Sequence, residues 1–236
     1  MKWFRKKVKH FKIENSGTNN TFCSIYKPTF KDKLIFNGNN NEVKLGSSLC
    51  EHSFFISIEG NNNKIIIGDK LKCLGQYYIN IVGNDNSIII DDDLQILQNL
   101  KIWNSLNCQG GKIRIGKNVS FYDSEIHLYD DKSSISIGDE CIFAYNAVIH
   151  AADGHAIFQN NKLINQAKKC VIGKHCWIGR NVLILKNTVI PNGCIVAANT
   201  TICKKYNQEN TIITNNGIVK TDIHWDRKSV NEVLNE

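Results

Sequence analysis

The chain has 236 residues, 42% of them hydrophobic and 22% charged, with a formal net charge of +7. These values are ordinary for a globular protein, and the length permits one large domain or two small ones. No stretch approaches the roughly 18–20 consecutive apolar residues that span a bilayer, so the sequence predicts no transmembrane segment.

Basic residues crowd the start of the chain, and Trp3, Phe4, Val8 and Phe11 interleave with them at roughly helical spacing. This pattern predicts a short basic amphipathic helix within an N-terminal segment, residues 1–30. We favour a helix that caps the open end of the following β-structure; contact with an anionic membrane surface is the alternative. A secretory signal is not expected, because no apolar run follows the charges. Nucleic-acid binding is not expected either, because no recognised module accompanies them.

The next part of the chain contains a long repeat. The segments FNGNNNEVKLG, IEGNNNKIIIG and IVGNDNSIIID share a glycine, an Asn-rich turn and a strand, and Gly38, Gly60 and Gly83 are 22 and 23 residues apart. Gly116 and Gly138 continue the series at 22 residues. Each repeat predicts one coil of three short strands with extra residues at one corner. We interpret the Asn runs as stacked turns, because Asn tolerates the left-handed backbone region.

From Val171 the period shortens to six: VIGKHC, WIGRNV, LILKNT, VIPNGC, IVAANT, TICKKY. The second residue of each unit is aliphatic, and the sixth is mostly small. A helix has a period near 3.6 and a strand a period of 2, so neither explains this pattern. A parallel β-solenoid with three flat faces does, and we place it at residues 31–205, before a closing turn and tail at 206–236. Cys176 and Cys194 fall at the small position and are predicted to be core thiols.

One interval interrupts the rhythm. Gly138 and Gly173 are 35 residues apart, and the surplus falls in HAADGHAIFQNNKLINQAKK, about residues 150–169. A solenoid can extrude a loop without disturbing its stack, and loops on rigid scaffolds are where function concentrates. We therefore expect the functional site at this loop.

The tandem six-residue units, the inserted Asp-Gly-His and the following Trp-Ile-Gly together resemble the hexapeptide-repeat acyltransferases, in the branch that O-acetylates sugars and surface polysaccharides. The resemblance runs from about Gly111 to Trp225. It implies an all-β fold, a left-handed parallel β-helix with an extruded active-site loop and short terminal helices. It also implies a homotrimer whose active sites lie between two subunits.

The resemblance assigns the catalytic base to His155. In that family the loop histidine removes a proton from the acceptor hydroxyl, which then attacks the thioester of acetyl-CoA. Neutral imidazole, with an unperturbed pKa of about 6.5, suits this role. Asp153 is expected to orient the imidazole or to shape the loop. Trp177 is expected to donate a hydrogen bond near the thioester or to pack on the acceptor, with simple structural packing as the alternative.

Two further histidines precede the loop. His150 ends the strand before it and is the competing base, or an acceptor-site contact. His127 lies one coil earlier and is a candidate for an acceptor contact in the same cleft, although a surface role is favoured.

The resemblance places the CoA arm in the groove between subunits, beside the C-terminal coils. The matching positions are Arg180, Ala198, Cys203 and Lys204, with backbone contacts expected at Gly179 and Ala198; a solvated surface lysine is the alternative for Lys204. The family's closing turn Gly-Asn-Pro-Ala is represented by Thr214-Asn215-Asn216-Gly217, which keeps the asparagine and loses the proline, so the adenine-end contacts are not carried over. No metal is expected, because the nine cysteines show no zinc-ligand spacing.

The sequence therefore predicts an acetyl-CoA-dependent O-acetyltransferase acting on a sugar hydroxyl of a surface polysaccharide or its precursor. One alternative is an N-acetyltransferase acting on an amino group of a nucleotide-linked sugar. Another is a non-catalytic glycan-binding solenoid. Nine cysteines without an export signal favour reduced thiols and a cytoplasmic location. Peripheral contact with the inner face of the membrane through the basic N-terminus is the alternative.

Overall fold

The chain folds into parallel β-strands stacked in coils. A computed structural model describes residues 11–104 and 108–234; the predicted N-terminal helix lies almost wholly outside them. The first strands are β1 Lys12–Asn15, β2 Thr21–Ser24, β3 Lys33–Asn37, β4 Glu42–Leu45, β5 Ser53–Glu59, β6 Lys64–Ile67, β7 Lys72–Cys73, β8 Gln76–Val82, β9 Ser87–Ile90, β10 Gln95–Asn104, β11 Lys112–Ile115, β12 Ser120–His127 and β13 Ser134–Ile137.

The second half contains shorter strands, in keeping with its shorter repeat. They are β14 Ile142–Phe143, β15 Ala147–His150, β16 Phe158–Gln159, β17 Lys162–Leu163, β18 Cys170–Ile172, β19 Trp177–Ile178, β20 Leu183–Ile184, β21 Val189–Ile190, β22 Ile195–Val196, β23 Thr201–Ile202, β24 Ile212–Thr214 and β25 Gly217–Lys220. One short helix, α1 Val230–Leu234, follows.

Three faces are resolved in the C-terminal coils. The first is β14–β19–β22–β24, the second β15–β20–β23 and the third β13–β18–β21. The long strand β12 pairs with both β14 and β15, so the first two faces merge into one sheet upstream. Parallel pairing already begins at β1, upstream of residue 31, and continues to β24. The fold is the predicted left-handed parallel β-helix.

The core consists of the aliphatic positions of the repeat. Those of the six-residue units are no more than 1% exposed: Ile172, Ile178, Ile184, Ile190, Val196 and Ile202. Cys176 and Cys194 are fully buried, which confirms them as core thiols. Burial of inward-facing side chains against the coils above and below is what stabilises such a stack.

The Asn-rich turns form hydrogen-bonded ladders, as predicted. The side-chain amides of Asn41, Asn63 and Asn86 each donate to the asparagine one coil earlier, over 3.0 Å. In the turn that contains Asn63, Gly60 has a φ of 131°, and a Cβ there would overlap the carbonyl oxygen of Gly83. Glycine is therefore required at that corner.

Residues 151–169 leave the solenoid between β15 and β18. They contain the antiparallel hairpin β16–β17, in which Phe158 pairs with Leu163. Four large apolar side chains of this loop are 44–65% exposed: Ile157, Phe158, Leu163 and Ile164. In residues 11–104 and 108–234, no helix has the length and apolar character needed to cross a membrane.

Candidate active site

The base of the extruded loop is closed by a cluster of three polar side chains, which we call the loop clasp: Asp153, Asn165 and Lys186. Asp153 Oδ2 accepts hydrogen bonds from Lys186 Nζ over 2.6 Å and from Asn165 Nδ2 over 2.8 Å. Lys186 also donates to the carbonyl oxygen of Asn165 over 2.6 Å. Since Lys186 lies at a corner of the next coil, the clasp fixes the loop to the rigid solenoid.

The loop clasp also fixes the backbone around His155, the predicted catalytic base. Asn165 Nδ2 donates to the carbonyl oxygen of His155 over 2.7 Å, and Asn165 Oδ1 accepts from the backbone amide of Ile157 over 2.7 Å. Gly154, with a φ of 77°, makes the tight turn between Asp153 and His155. Asn165 is only 9% exposed, so its hydrogen bonds are largely shielded from water.

Asp153 shapes the loop rather than orienting an imidazole. Its carboxylate hydrogen-bonds Lys186 and Asn165, and no hydrogen bond joins it to the His155 ring in the described structure. Burial alone would raise the pKa of Asp153, but the hydrogen bonds from Lys186 and Asn165 and the Lys186 charge outweigh it and lower the pKa. The carboxylate is therefore ionised at neutral pH. Of the two roles predicted for Asp153, its hydrogen bonds fit the shaping of the loop.

The His155 side chain is exposed at a cavity of about 690 Å³. The opposite wall comes from Tyr129 and the turn after β12, and the loop contributes Leu163 and Asn165. No hydrogen bond or ion pair engages the imidazole within the described part of the chain. Its two nitrogens are therefore free to meet a ligand in this cavity.

His127 and His150 lie together on the second face, one coil apart. They are register partners in the β12–β15 pair, and their ring centroids are 4.6 Å apart in an edge-to-face arrangement. Burial, and for His150 also the neighbouring His127, lowers both pKa values, while Glu125 raises them by a smaller amount. Both rings are therefore neutral at pH 7.

A hydrogen-bonded chain extends from His127 in two directions. Glu125 Oε2 lies 3.2 Å from His127 Nε2, and Lys101 Nζ donates to Glu125 Oε1 over 2.9 Å. On the other side, the Tyr129 hydroxyl lies 2.8 Å from His127 Nδ1. His127 is thus not a solvated surface histidine. The hydrogen bonds connect His127 to Tyr129, which lines the same cavity as His155.

Trp177 lies in a different cleft of the same chain. It is 43% exposed and lines a cavity of about 450 Å³ with Tyr145, Trp225 and Arg227. The tail supplies the far wall: Trp225 stacks on His175 at a centroid distance of 4.1 Å and donates its indole hydrogen to the His175 carbonyl over 2.9 Å. Within one subunit, therefore, the structure does not place Trp177 in the cavity lined by His155.

The predicted cofactor positions fall on two corners of the solenoid. Gly179, Arg180 and Ala198 lie at the corner between the first and second faces, where the amide of Asn199 donates to the Arg180 carbonyl over 2.8 Å. The Arg180 guanidinium lies 5.2 Å from the centre of the Tyr145 ring. Cys203 and Lys204 are exposed at the next corner, after β23.

Three residues that the sequence analysis did not single out take part in these arrangements: Tyr129, Asn165 and Lys186. Lys186 carries little local signal, because it is 33 residues from Asp153 and meets it only through coil stacking. Tyr129 could have been found from its place two residues after His127, which puts both on one face of a strand. Among the described residues, no group of three or more His, Cys, Asp or Glu side chains could hold a metal ion.

A stacked parallel solenoid with six-residue units, interrupted by one loop that presents a histidine at a cavity, defines a hexapeptide-type transferase. The family model for bacterial transferase hexapeptide (six repeats) matches residues 169–204. The polysialic acid O-acetyltransferase of Neisseria meningitidis is 31% identical over 173 residues, which is 72% of this chain and 67% of that protein. That of Escherichia coli O1:K1 is 35% identical over 80 residues, 33% of this chain and 26% of the relative.

Solved structures agree with these matches. The polysialic acid O-acetyltransferase OatWY has a TM-score of 0.69 and 28% identity, covering 92% of each chain. The polySia-specific acetyltransferase NeuO has a TM-score of 0.68 and 26% identity, covering 93% of this chain and 90% of its own. The chain belongs to the hexapeptide-repeat acyltransferases, in the branch of the polysaccharide O-acetyltransferases. It is an acetyltransferase, so the alternative of a non-catalytic solenoid is set aside.

Proposed function

We propose that this protein transfers an acetyl group from acetyl-CoA to a hydroxyl of a surface polysaccharide or its precursor, with His155 as the general base. The observation that carries the proposal is the position of His155: an exposed imidazole at a cavity, without a hydrogen-bond partner among the described residues, on a loop fixed to the solenoid by the clasp. Its relatives act on polysialic acid, which makes an acidic polysaccharide the first acceptor to test.

The chemistry follows from what His155 can do. A neutral imidazole nitrogen accepts the proton of an acceptor hydroxyl as the oxygen attacks the thioester carbonyl. Collapse of the tetrahedral intermediate breaks the carbon–sulfur bond, and the CoA thiolate leaves and takes up the proton. Acetyl ester and free CoA are the products. In this scheme the acetyl group passes directly from the thioester to the acceptor hydroxyl, and no acyl-enzyme forms.

We also propose a homotrimer with each active site between two subunits. Two features support it. The loop exposes four large apolar side chains, and exposed apolar patches of this kind mark association surfaces. Trp177 and Arg180 lie away from the His155 cavity of their own chain, so a neighbouring subunit would be needed to bring donor and acceptor positions together. The mass of the purified protein by light scattering tests the trimer.

The function is tested by incubating the protein with acetyl-CoA and polysialic acid, alongside a panel of neutral and acidic bacterial polysaccharides. Release of free CoA and a gain of one acetyl mass per modified sugar are expected. Mild alkali should remove the added acetyl group, because an ester is labile where an amide is not. An alkali-stable acetyl group on a nucleotide-linked amino sugar would instead establish the N-acetyltransferase alternative.

A further inference from the structure

Lys101, Glu125, His127 and Tyr129 form a row of hydrogen bonds in which the donor and the acceptor of each bond are fixed. Lys101 can only donate, and an ionised carboxylate can only accept. The hydrogen bond from Lys101, with a smaller contribution from His127, lowers the pKa of Glu125 despite its burial, so Glu125 is ionised at neutral pH. The His127 nitrogen that faces Glu125, Nε2, must therefore carry the hydrogen.

The direction continues to Tyr129. Because burial keeps His127 neutral at pH 7, its other nitrogen, Nδ1, carries no hydrogen and accepts. The Tyr129 hydroxyl, 2.8 Å away, must donate its only hydrogen to that nitrogen. Burial, and secondarily the charge of Glu125, raises the pKa of Tyr129, so the phenol is protonated and able to do so. Only the lone pairs of its oxygen remain for another partner.

Tyr129 is half-buried and lines the cavity that also contains the His155 side chain. We propose that the Tyr129 phenol oxygen is an acceptor-recognition site, which accepts a hydrogen bond from a sugar hydroxyl of the polysaccharide while Glu125 and His127 hold it in that orientation. In this arrangement Tyr129 contacts the substrate, and Glu125 and His127 are positioning residues. The inference rests on the proposed function and adds to it a preference for a hydrogen-bond donor on the sugar.

The first test is Tyr129→Phe, measured by steady-state kinetics with polysialic acid, or with whichever polysaccharide the wild type acetylates. Loss of one net hydrogen bond should raise the acceptor KM roughly 3- to 10-fold. The KM for acetyl-CoA should not change. Tyr26→Phe is the matched control: that hydroxyl also bonds a histidine residue, donating to the His52 carbonyl over 3.2 Å, but lies in the N-terminal coils. It should leave the acceptor KM unaltered.

The second test is Glu125→Gln, which keeps the phenol in place. A neutral amide no longer forces the hydrogen onto Nε2 of His127, so the ring can donate from Nδ1 to the Tyr129 oxygen. That donor then competes with the sugar hydroxyl for the oxygen, and the phenol hydrogen is no longer held towards His127. We expect the acceptor KM to rise here too. In the double variant with Tyr129→Phe, the two effects should combine to much less than their product, because both act on one hydrogen bond.

The outcomes separate the two proposals. A wild-type protein that acetylates no polysaccharide in the panel overturns the proposed function. If the wild type is active, an unchanged acceptor KM in Tyr129→Phe, or effects that multiply in the double variant, overturns this inference. Equal rises in both KM values would also overturn it, since they indicate a general disturbance of the site. If Tyr129→Phe lowers the melting temperature, Glu125→Gln decides the question.

Discussion

Asn165 and His155 are joined across the extruded loop: the Asn165 side-chain amide donates to the His155 carbonyl oxygen over 2.7 Å. The same amide also donates to Asp153, which Lys186 ties to the next coil. The backbone of the proposed base is thus fixed to the solenoid although its imidazole is exposed. The extruded loop is long, but His155 lies near the end of the loop that the clasp anchors, and not at the tip of the β16–β17 hairpin.

The first prediction concerns the identity of the base. His155→Ala should lower kcat by about 10²- to 10⁴-fold, the usual contribution of a general base. His150→Ala is the matched comparison, because His150 is the rival base and lies half-buried against His127. It should change the acceptor KM more than kcat. CoA release measures both, and a His155→Ala enzyme with normal turnover would exclude this base.

The second prediction concerns the clasp. Asn165→Ala removes the hydrogen bonds to His155, Ile157 and Asp153, so the imidazole is no longer held in one place. A displacement of about 1 Å can cost 100-fold in rate, and we expect kcat to fall by about 10- to 100-fold. Gln159→Ala, in the exposed strand β16 of the same loop, is the control and should be silent. Equal activity of the two variants would show that the clasp does not position the base.

The third prediction is a pH dependence of stability. Burial is the main cause that lowers the folded-state pKa of His127 and of His150. The charge of Lys101 lowers the pKa of His127 further, the neighbouring His127 lowers that of His150, and Glu125 opposes both shifts. The unfolded chain therefore binds protons near pH 6.5 that the folded chain does not. The free energy of unfolding should fall as the pH drops from about 7 through the lowered pKa values.

Denaturant unfolding between pH 7.5 and 5 measures this slope. His127→Gln, which removes one of these rings, should flatten it; His52, whose pKa is also lowered by burial, contributes to the slope of both proteins. His224→Gln provides the control, since that residue lies in the C-terminal tail, where its ring stacks on His175. A slope that is the same in wild type and His127→Gln would contradict the assignment.

The fourth prediction concerns subunit mixing. If each active site contains His155 from one subunit and Trp177 from its neighbour, His155→Ala and Trp177→Ala homotrimers should both be impaired. Mixed trimers formed by co-expression should regain activity, because some interfaces then combine two intact residues. Mixing two different His155 variants, such as His155→Ala and His155→Asn, is the control and should restore nothing. Activity of the first mixture no higher than its parents would count against shared sites.

The fifth prediction tests the tight corners of the solenoid. Gly60→Ala places a Cβ against the Gly83 carbonyl at a φ of 131°, and should destabilise the protein by about 4 kcal/mol or more. Gly217→Ala is the matched control: Gly217 also has a positive φ, 97°, but its Cβ would meet nothing within 4 Å. Backbone strain alone should cost it about 1–3 kcal/mol. Equal losses would mean that the close coil contact is unimportant.

The repeat made the fold predictable. A six-residue period specifies which side chain faces inward, and Ile178, Ile184 and Ile190 are buried as their positions require. The interruption of the period likewise marked the loop. The sequence did not reveal that parallel pairing starts at Lys12, because the first coil repeats the pattern only weakly.

The site was less predictable, since it depends on contacts between coils. Asp153 and Lys186 meet because the loop base stacks on the next corner, and that pairing has no local sequence pattern. His127 and Tyr129 are two residues apart and share a face by strand alternation, but the sequence alone does not show that the phenol reaches the His155 cavity. Trp177 and His155 are separated within one chain for a related reason: Trp177 begins β19 on the first face, whereas His155 follows β15 on the second.

The asparagine ladders make each N-terminal coil an interchangeable module. Every rung, such as Asn63 on Asn41, repeats the geometry of the rung before it, so a duplicated coil would find the same partners above and below. Such a duplication would move the N-terminus outward by one strand spacing, about 4.8 Å, and leave the loop clasp untouched. The length of this solenoid can therefore vary between relatives in whole coils, independently of the chemistry at its other end.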